Sequence, residues 1–196
     1  MTKKLPNFLS LSRIVLTPVF IWLILTPTLE KRLLGGMVFI IAGLSDYWDG
    51  KLARQWKAKS RFGQFLDPLA DKIFVLGTFL VLPFLVPEIP WWFVIVIGIR
   101  DLSVTALRSW AEAQSTSIPT LYSAKVKTTL QFVYLGWVLV WLICTHIPPI
   151  AGISKYLLTQ WPMSLLMWVT LLSTVVTGLQ YAQYALNPLP SQESSP

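Results

Sequence analysis

The strongest constraint on this chain is a series of apolar runs of near-bilayer length, separated by short segments that hold most of its charge. An α-helix needs about 20 predominantly apolar residues to cross a hydrocarbon core. Six segments approach that: Phe8 to Thr26, Leu33 to Trp48, Ile73 to Val86, Trp91 to Leu107, Leu130 to Ile147 and Pro162 to Leu186. The third is short for a span unless its helix begins upstream, near Asp67. With 54% apolar and 13% charged residues in 196, against roughly 25% charged in soluble domains, the expected fold class is an all-α integral membrane protein with six transmembrane helices. Residues 1–186 read as one domain and 187–196 as a polar tail, frayed from Ser191 to Pro196.

The net charge of +7 does not mark a nucleic-acid partner, because the basic residues lie between apolar runs rather than in one patch. With the N-terminus in the cytoplasm, Lys3, Lys4, Arg13, Lys51, Arg54, Lys57, Lys59, Arg61, Lys72, Arg100, Arg108, Lys125 and Lys127 fall at or near that side. Only Lys31, Arg32 and Lys155 fall opposite. Such asymmetry in short loops places both termini in the cytoplasm. The first run could also be a signal peptide, but Arg13 interrupts it and no small-x-small cleavage pattern follows Leu25, so it reads as a retained helix. Arg100 and Asp101, inside the fourth run, should face protein or a water-filled cavity. Trp91 and Trp92 suit a membrane-interface belt. Cys144 and His146, the only residues of their types, read as packing or interface residues and leave little material for a disulfide or a zinc site.

Four of the five aspartates, Asp46, Asp49, Asp67 and Asp71, fall within one short stretch. Spacings of three and four put each pair on one face of a helix, and Gly50, Ala53 and Gly63 leave room beside them. Aspartates at helix ends can simply be solvated or pair with nearby lysines. Four converging carboxylates, however, would take up protons at neutral pH unless cations lay between them, and two divalent ions supply the compensating charge. Oxygen ligands without histidine or cysteine select Mg²⁺ or Mn²⁺. A two-metal carboxylate site at a membrane surface suits phosphoryl chemistry.

The spacing Asp46-x2-Asp49-Gly50-x2-Ala53-Arg54-x8-Gly63-x3-Asp67-x3-Asp71 resembles, without gap or substitution, the signature of the CDP-alcohol phosphatidyltransferases. The resemblance implies a six-helix membrane enzyme, commonly a homodimer with a cytoplasm-facing site, that joins a CDP-activated lipid to an alcohol and releases CMP. It implies that Asp46, Asp49 and Asp67 are metal ligands, and that Asp71 is both ligand and base. Gly50, Ala53 and Gly63 would admit the cytidine nucleotide, and Arg54 would bind its diphosphate. Pro68 is tolerated if Asp67 starts the helix.

Three further stretches resemble the bacterial members that transfer phosphatidyl from CDP-diacylglycerol to sn-glycerol 3-phosphate. These are Leu5 to Ser10 with Arg13 and Pro18, Arg100-Asp101 through Glu112, and Lys125 to Gln131. Those members usually carry Arg-Glu where this chain has Arg100-Asp101, and the last two apolar runs resemble nothing specific. A phosphorylated acceptor needs cations, and Arg100, Arg108, Lys125 and Lys127 are the candidates. Lys125 and Lys127 would not share a face of a regular helix, so both could serve only with a bend or loop start near Ser123. These cations could instead anchor anionic lipid headgroups. Inositol phosphate, serine or phosphatidylglycerol remain alternative acceptors. A divalent-cation transporter is the alternative of another class, disfavoured because the acidic residues cluster at one face and no inverted repeat is visible. The expected setting is the bacterial inner membrane.

Overall fold

The computed structural model describes the backbone of residues 5–56, 61–113 and 121–186, with side chains described for residues 12–45, 72–111 and 121–184. The polar tail at 187–196 lies outside the described residues. Among them the secondary structure is helical throughout. The helices are α1 (Leu5–Leu25), α2 (Leu29–Trp56), α3 (Arg61–Leu85), α4 (Trp91–Ala113), α5 (Tyr122–Cys144), the short α6 (Ala151–Thr159) and α7 (Trp161–Leu186).

Prolines punctuate the chain. Pro27 sits in the break between α1 and α2, and Pro87 and Pro90 flank a turn closed by the Ile89 N–H donating to the Val86 carbonyl at 3.0 Å. Pro148 opens a 3₁₀ turn, Pro148–Ile150, where its missing N–H costs nothing. Inside α1, Pro18 removes the bond to the Ile14 carbonyl.

Many large apolar side chains face outward, while several polar ones lie inside beside the apolar core. On α1, Arg13, Thr17, Phe20 and Ile24 are buried while Val15, Val19 and Trp22 are exposed. On α7, Thr170, Thr174, Thr177 and Tyr181 are buried while Leu165, Trp168, Leu172, Val175 and Leu179 are exposed. A soluble protein would invert that arrangement, because water rewards burial of apolar surface. In lipid the apolar exterior costs nothing, and a buried threonine can donate to a carbonyl of its own helix. The Thr17, Thr174 and Thr177 hydroxyls each donate to a carbonyl one turn back, at 2.8 Å.

Helix α1 packs on α2 and α3, α3 beside α4, and α7 against α4, α5 and α6, while α5 also contacts α2 and α6. Aromatic rings join them. Phe20, Phe39 and Phe74 link α1, α2 and α3, and Phe79, Phe93 and Tyr134 link α3, α4 and α5. Gly77 permits the α1–α3 crossing: a Cβ there would lie 3.0 Å from Thr17 Cγ2.

The six apolar runs correspond to the six long helices, with three differences. Helix α3 begins at Arg61, well upstream of Asp67, so Pro68 lies inside it rather than in its first turn. Helix α5 begins at Tyr122, ahead of Leu130, and α6 fills what reads as a connection. Hydropathy reports lipid contact and not helicity, so polar ends of helices escape it. Two helical stretches, Tyr122–Cys144 and Trp161–Tyr184, are by themselves long and apolar enough to cross a membrane; Ser12–Leu25 and Lys72–Leu85 are shorter apolar stretches.

Candidate active site

Asp46, Asp49, Gly50, Ala53 and Arg54 occupy the last turns of α2, and Gly63, Asp67 and Asp71 the first turns of α3. Their side chains lie outside the described ones. Among the described residues no group of three or more His, Cys, Asp or Glu is placed to hold a metal ion; the four signature aspartates are not among those residues.

Immediately after Asp71, Lys72 enters a charged cluster that crosses three helices. Its centre is Asp101 on α4, whose side chain is 0% exposed. Asp101 Oδ1 accepts from Lys127 Nζ of α5 and from Arg100 Nη1 at 3.1 Å. Lys72 Nζ of α3 lies 3.7 Å from Oδ2. A carboxylate buried this completely needs cationic partners, and cations at this depth need an anion. The expectation that Arg100 and Asp101 avoid lipid is met: the Arg100 side chain is only 12% exposed.

Arg100 is not used up by Asp101. Its Nε and Nη2 are enclosed and make no hydrogen bond, and the same holds for Nε of Arg108, two turns further along α4. The Arg100 guanidinium lies 5.7 Å from the centre of the Tyr181 ring on α7. Tyr181 is itself placed by accepting from the Leu121 N–H at 3.3 Å, while the Ser123 hydroxyl donates to Gln180 Oε1 at 2.6 Å. Gly178 completes this wall, since a Cβ there would stand 3.1 Å from Arg100 Cγ.

The four expected acceptor cations are therefore not equivalent. Arg100 and Lys127 meet at Asp101, and Arg108 is part-buried on the same helix as Asp101. Lys125 is exposed. With α5 regular from Tyr122 onward, no bend brings Lys125 and Lys127 to one face. Sequence reasoning expected Arg100 and Asp101 to avoid lipid, from a carboxylate within an apolar run beside an arginine, but did not place Asp101 in the site and gave Lys72 no site role.

The profile of the CDP-alcohol phosphatidyltransferases matches residues 3–179. The chain belongs to that family. It is 36% identical over 143 residues, 69% of this chain and 76% of the relative, to a Salmonella typhimurium protein named CDP-diacylglycerol–glycerol-3-phosphate 3-phosphatidyltransferase. The protein of that name from Escherichia coli K12 matches with the same identity and coverage. This phosphatidyltransferase is thus a helical membrane protein, and the transfer chemistry of its family must be performed by a chain with one histidine and one cysteine.

Proposed function

We propose that this phosphatidyltransferase moves the phosphatidyl group of CDP-diacylglycerol to sn-glycerol 3-phosphate, giving phosphatidylglycerol phosphate and CMP. The observation that carries the acceptor is the set of enclosed, unpartnered guanidinium donors on Arg100 and Arg108. Buried donors without partners are costly, and a phosphate monoester fills them with charge-assisted bonds. Serine offers no phosphate to fill them. The relatives' names point the same way.

In this reading Arg100 and Arg108 hold the acceptor phosphate, Lys127 fixes Arg100 through Asp101, and exposed Lys125 adds positive charge at the entrance. Arg54 holds the donor diphosphate, with Gly50, Ala53 and Gly63 giving its nucleotide close approach to the helices. Helical register supports convergence of the aspartates. Phe39 and Phe74 touch, with centroids 6.0 Å apart, and Asp46 and Asp67 lie two turns from them toward the signature end, on the corresponding faces.

The oxygen-only donor set fits hard divalent cations. Two such ions, Mg²⁺ or Mn²⁺, on Asp46, Asp49, Asp67 and Asp71 would offset the carboxylate charge and stabilise charge developing on the departing phosphate. Asp71 accepts the proton of the acceptor hydroxyl as its oxygen forms the new bond to phosphorus and the bond to CMP breaks. The charge asymmetry of the loops supports six spans, cytoplasmic termini and a cytoplasmic site in a bacterial inner membrane. Residues 1–186 form one catalytic domain in this reading, and a homodimer follows from the family resemblance.

Purified protein assayed for CMP release with separately labelled acceptors tests the reading. Sn-glycerol 3-phosphate should be consumed in preference to inositol phosphate, serine and phosphatidylglycerol. Full activity after exhaustive chelation would refute the two-ion site, and light scattering in detergent reports the dimer.

A further inference from the structure

Of the three cations that the charge pattern sets apart from the rest, two line one cavity. Arg32 and Lys155 share it with Thr145 and Thr159, and the turn carrying Glu88 closes one side; its volume is about 300 Å³. Helix α2 carries Arg32 in its first turn and the aspartate signature in its last turns. Its 28 residues span about 40 Å at 1.5 Å per residue, so the cavity lies at the opposite end of the bundle from the transfer site.

Arg32 is only 9% exposed. Its Nη1 donates to the Leu142 carbonyl at 3.3 Å and lies 3.4 Å from His146 Nδ1, while Nε is enclosed without a hydrogen-bond partner. Among the described ion pairs, none joins Arg32 or Lys155 to a carboxylate. Capping the end of α5 does not account for this arginine. The Leu142 carbonyl already accepts from the Thr145 hydroxyl at 2.7 Å, and a cap would explain neither the empty Nε nor the second cation across the cavity. A guanidinium enclosed without a counter-ion calls for an anion from outside the chain.

Two features identify that anion. The planar edge of a guanidinium suits a phosphate, with an ammonium as a second point charge. An aromatic belt surrounds the cavity's end of the bundle: Lys31 lies 4.6 Å over the exposed Trp22 ring, and exposed Trp161 donates to the Tyr156 hydroxyl at 3.0 Å. Tryptophan and tyrosine with lysine collect at headgroup depth. Glu88, the carboxylate on the cavity wall, is exposed and, among the described ion pairs, joins neither Arg32 nor Lys155.

We propose that this cavity binds the phosphate of a phospholipid headgroup, held by Arg32 and Lys155 at the end of the bundle remote from the aspartate signature. The occupied site ties the first turn of α2 to the α5–α6 corner and is independent of which acceptor the enzyme uses.

The test is native mass spectrometry of the delipidated full chain in detergent, titrated with phosphatidylglycerol. Diacylglycerol serves as the phosphate-free control and inorganic phosphate as the headgroup without chains. Arg32→Gln and Lys155→Gln should each weaken phosphatidylglycerol binding about tenfold, the loss of one charge-assisted contact, while diacylglycerol binds poorly to every variant. Lys155 is exposed, so its variant folds even if Arg32→Gln does not, and it should keep wild-type transferase activity. Equal phosphatidylglycerol binding by wild type and Lys155→Gln would overturn the proposal. Displacement of the lipid by millimolar inorganic phosphate would overturn the lipid as occupant and leave a free-anion site.

Discussion

Buried cations occur at both ends of this bundle, and the two ends neutralise them differently. Near the signature, Lys72, Arg100 and Lys127 from three helices gather around the carboxylate of Asp101. At the far end, Arg32 has a backbone carbonyl and an imidazole nitrogen for company. The first arrangement is written into the chain, with the counter-ion on α4 itself. The second is completed only from outside. The difference teaches that burying a charge in a membrane protein has two solutions, an internal counter-ion that also fixes geometry or an external one that makes a binding site.

The largest effect expected on the signature side is that of Asp71→Asn. It removes basicity with little change of size, so turnover should fall about 10²- to 10⁴-fold, measured as CMP release at saturating substrates with metal content checked. CDP-diacylglycerol binding should fall less. Retention of more than about a tenth of wild-type turnover would exclude Asp71 as the base.

Next comes the contrast between the ends. Asp101→Ala strands buried cations that were paired, which costs about 3–5 kcal/mol. Arg32→Ala strands no carboxylate, and it should cost about 1.5–3 kcal/mol through its lost hydrogen bond. Thermal unfolding of both variants in one detergent reads the order; if Arg32→Ala destabilised more, the two ends would not differ as described. Asp101→Glu, keeping the charge, should recover most of the stability that Asp101→Ala loses.

A smaller and more selective change is expected for the acceptor cations. Arg108→Ala should raise KM for sn-glycerol 3-phosphate about tenfold or more, with little change in KM for CDP-diacylglycerol. Lys125→Ala, on an exposed side chain, should shift it by less than about threefold. Equal effects on both substrates would make these residues lipid anchors. The smallest effect belongs to Gly178→Ala. Its methyl would press on Arg100 Cγ, displacing a flexible side chain by a few tenths of an ångström, and should raise acceptor KM by a few-fold, while the helix propensity of alanine, worth about 1 kcal/mol, offsets the crowding and leaves stability nearly unchanged.

Much of this was legible beforehand because lipid imposes a coarse filter. Apolar runs had to become helices, since an unpaired backbone cannot sit in hydrocarbon, and the six runs do correspond to six long helices. The limits of α3 and α5 were less legible: Arg61 to Asp71 and Tyr122 to Thr129 are helical yet mostly not apolar, so hydropathy alone ended the runs too soon. The 3.6-residue period did foresee that Lys125 and Lys127 part company on a regular helix. It could not foresee that Lys127 would be buried and Lys125 left outside.

The sequence by itself determined the number of long helices, the family and the eight signature positions, because each is a local property of spacing and composition. Only the tertiary structure decided which charges meet. Asp101 gathers a lysine from α3, an arginine from its own helix and a lysine from α5, and Arg32 finds Lys155 across a cavity between α2 and α6. Those encounters depend on how helices far apart in the chain are rotated and stacked against one another, and periodicity read one helix at a time carries no information about its neighbour's facing side.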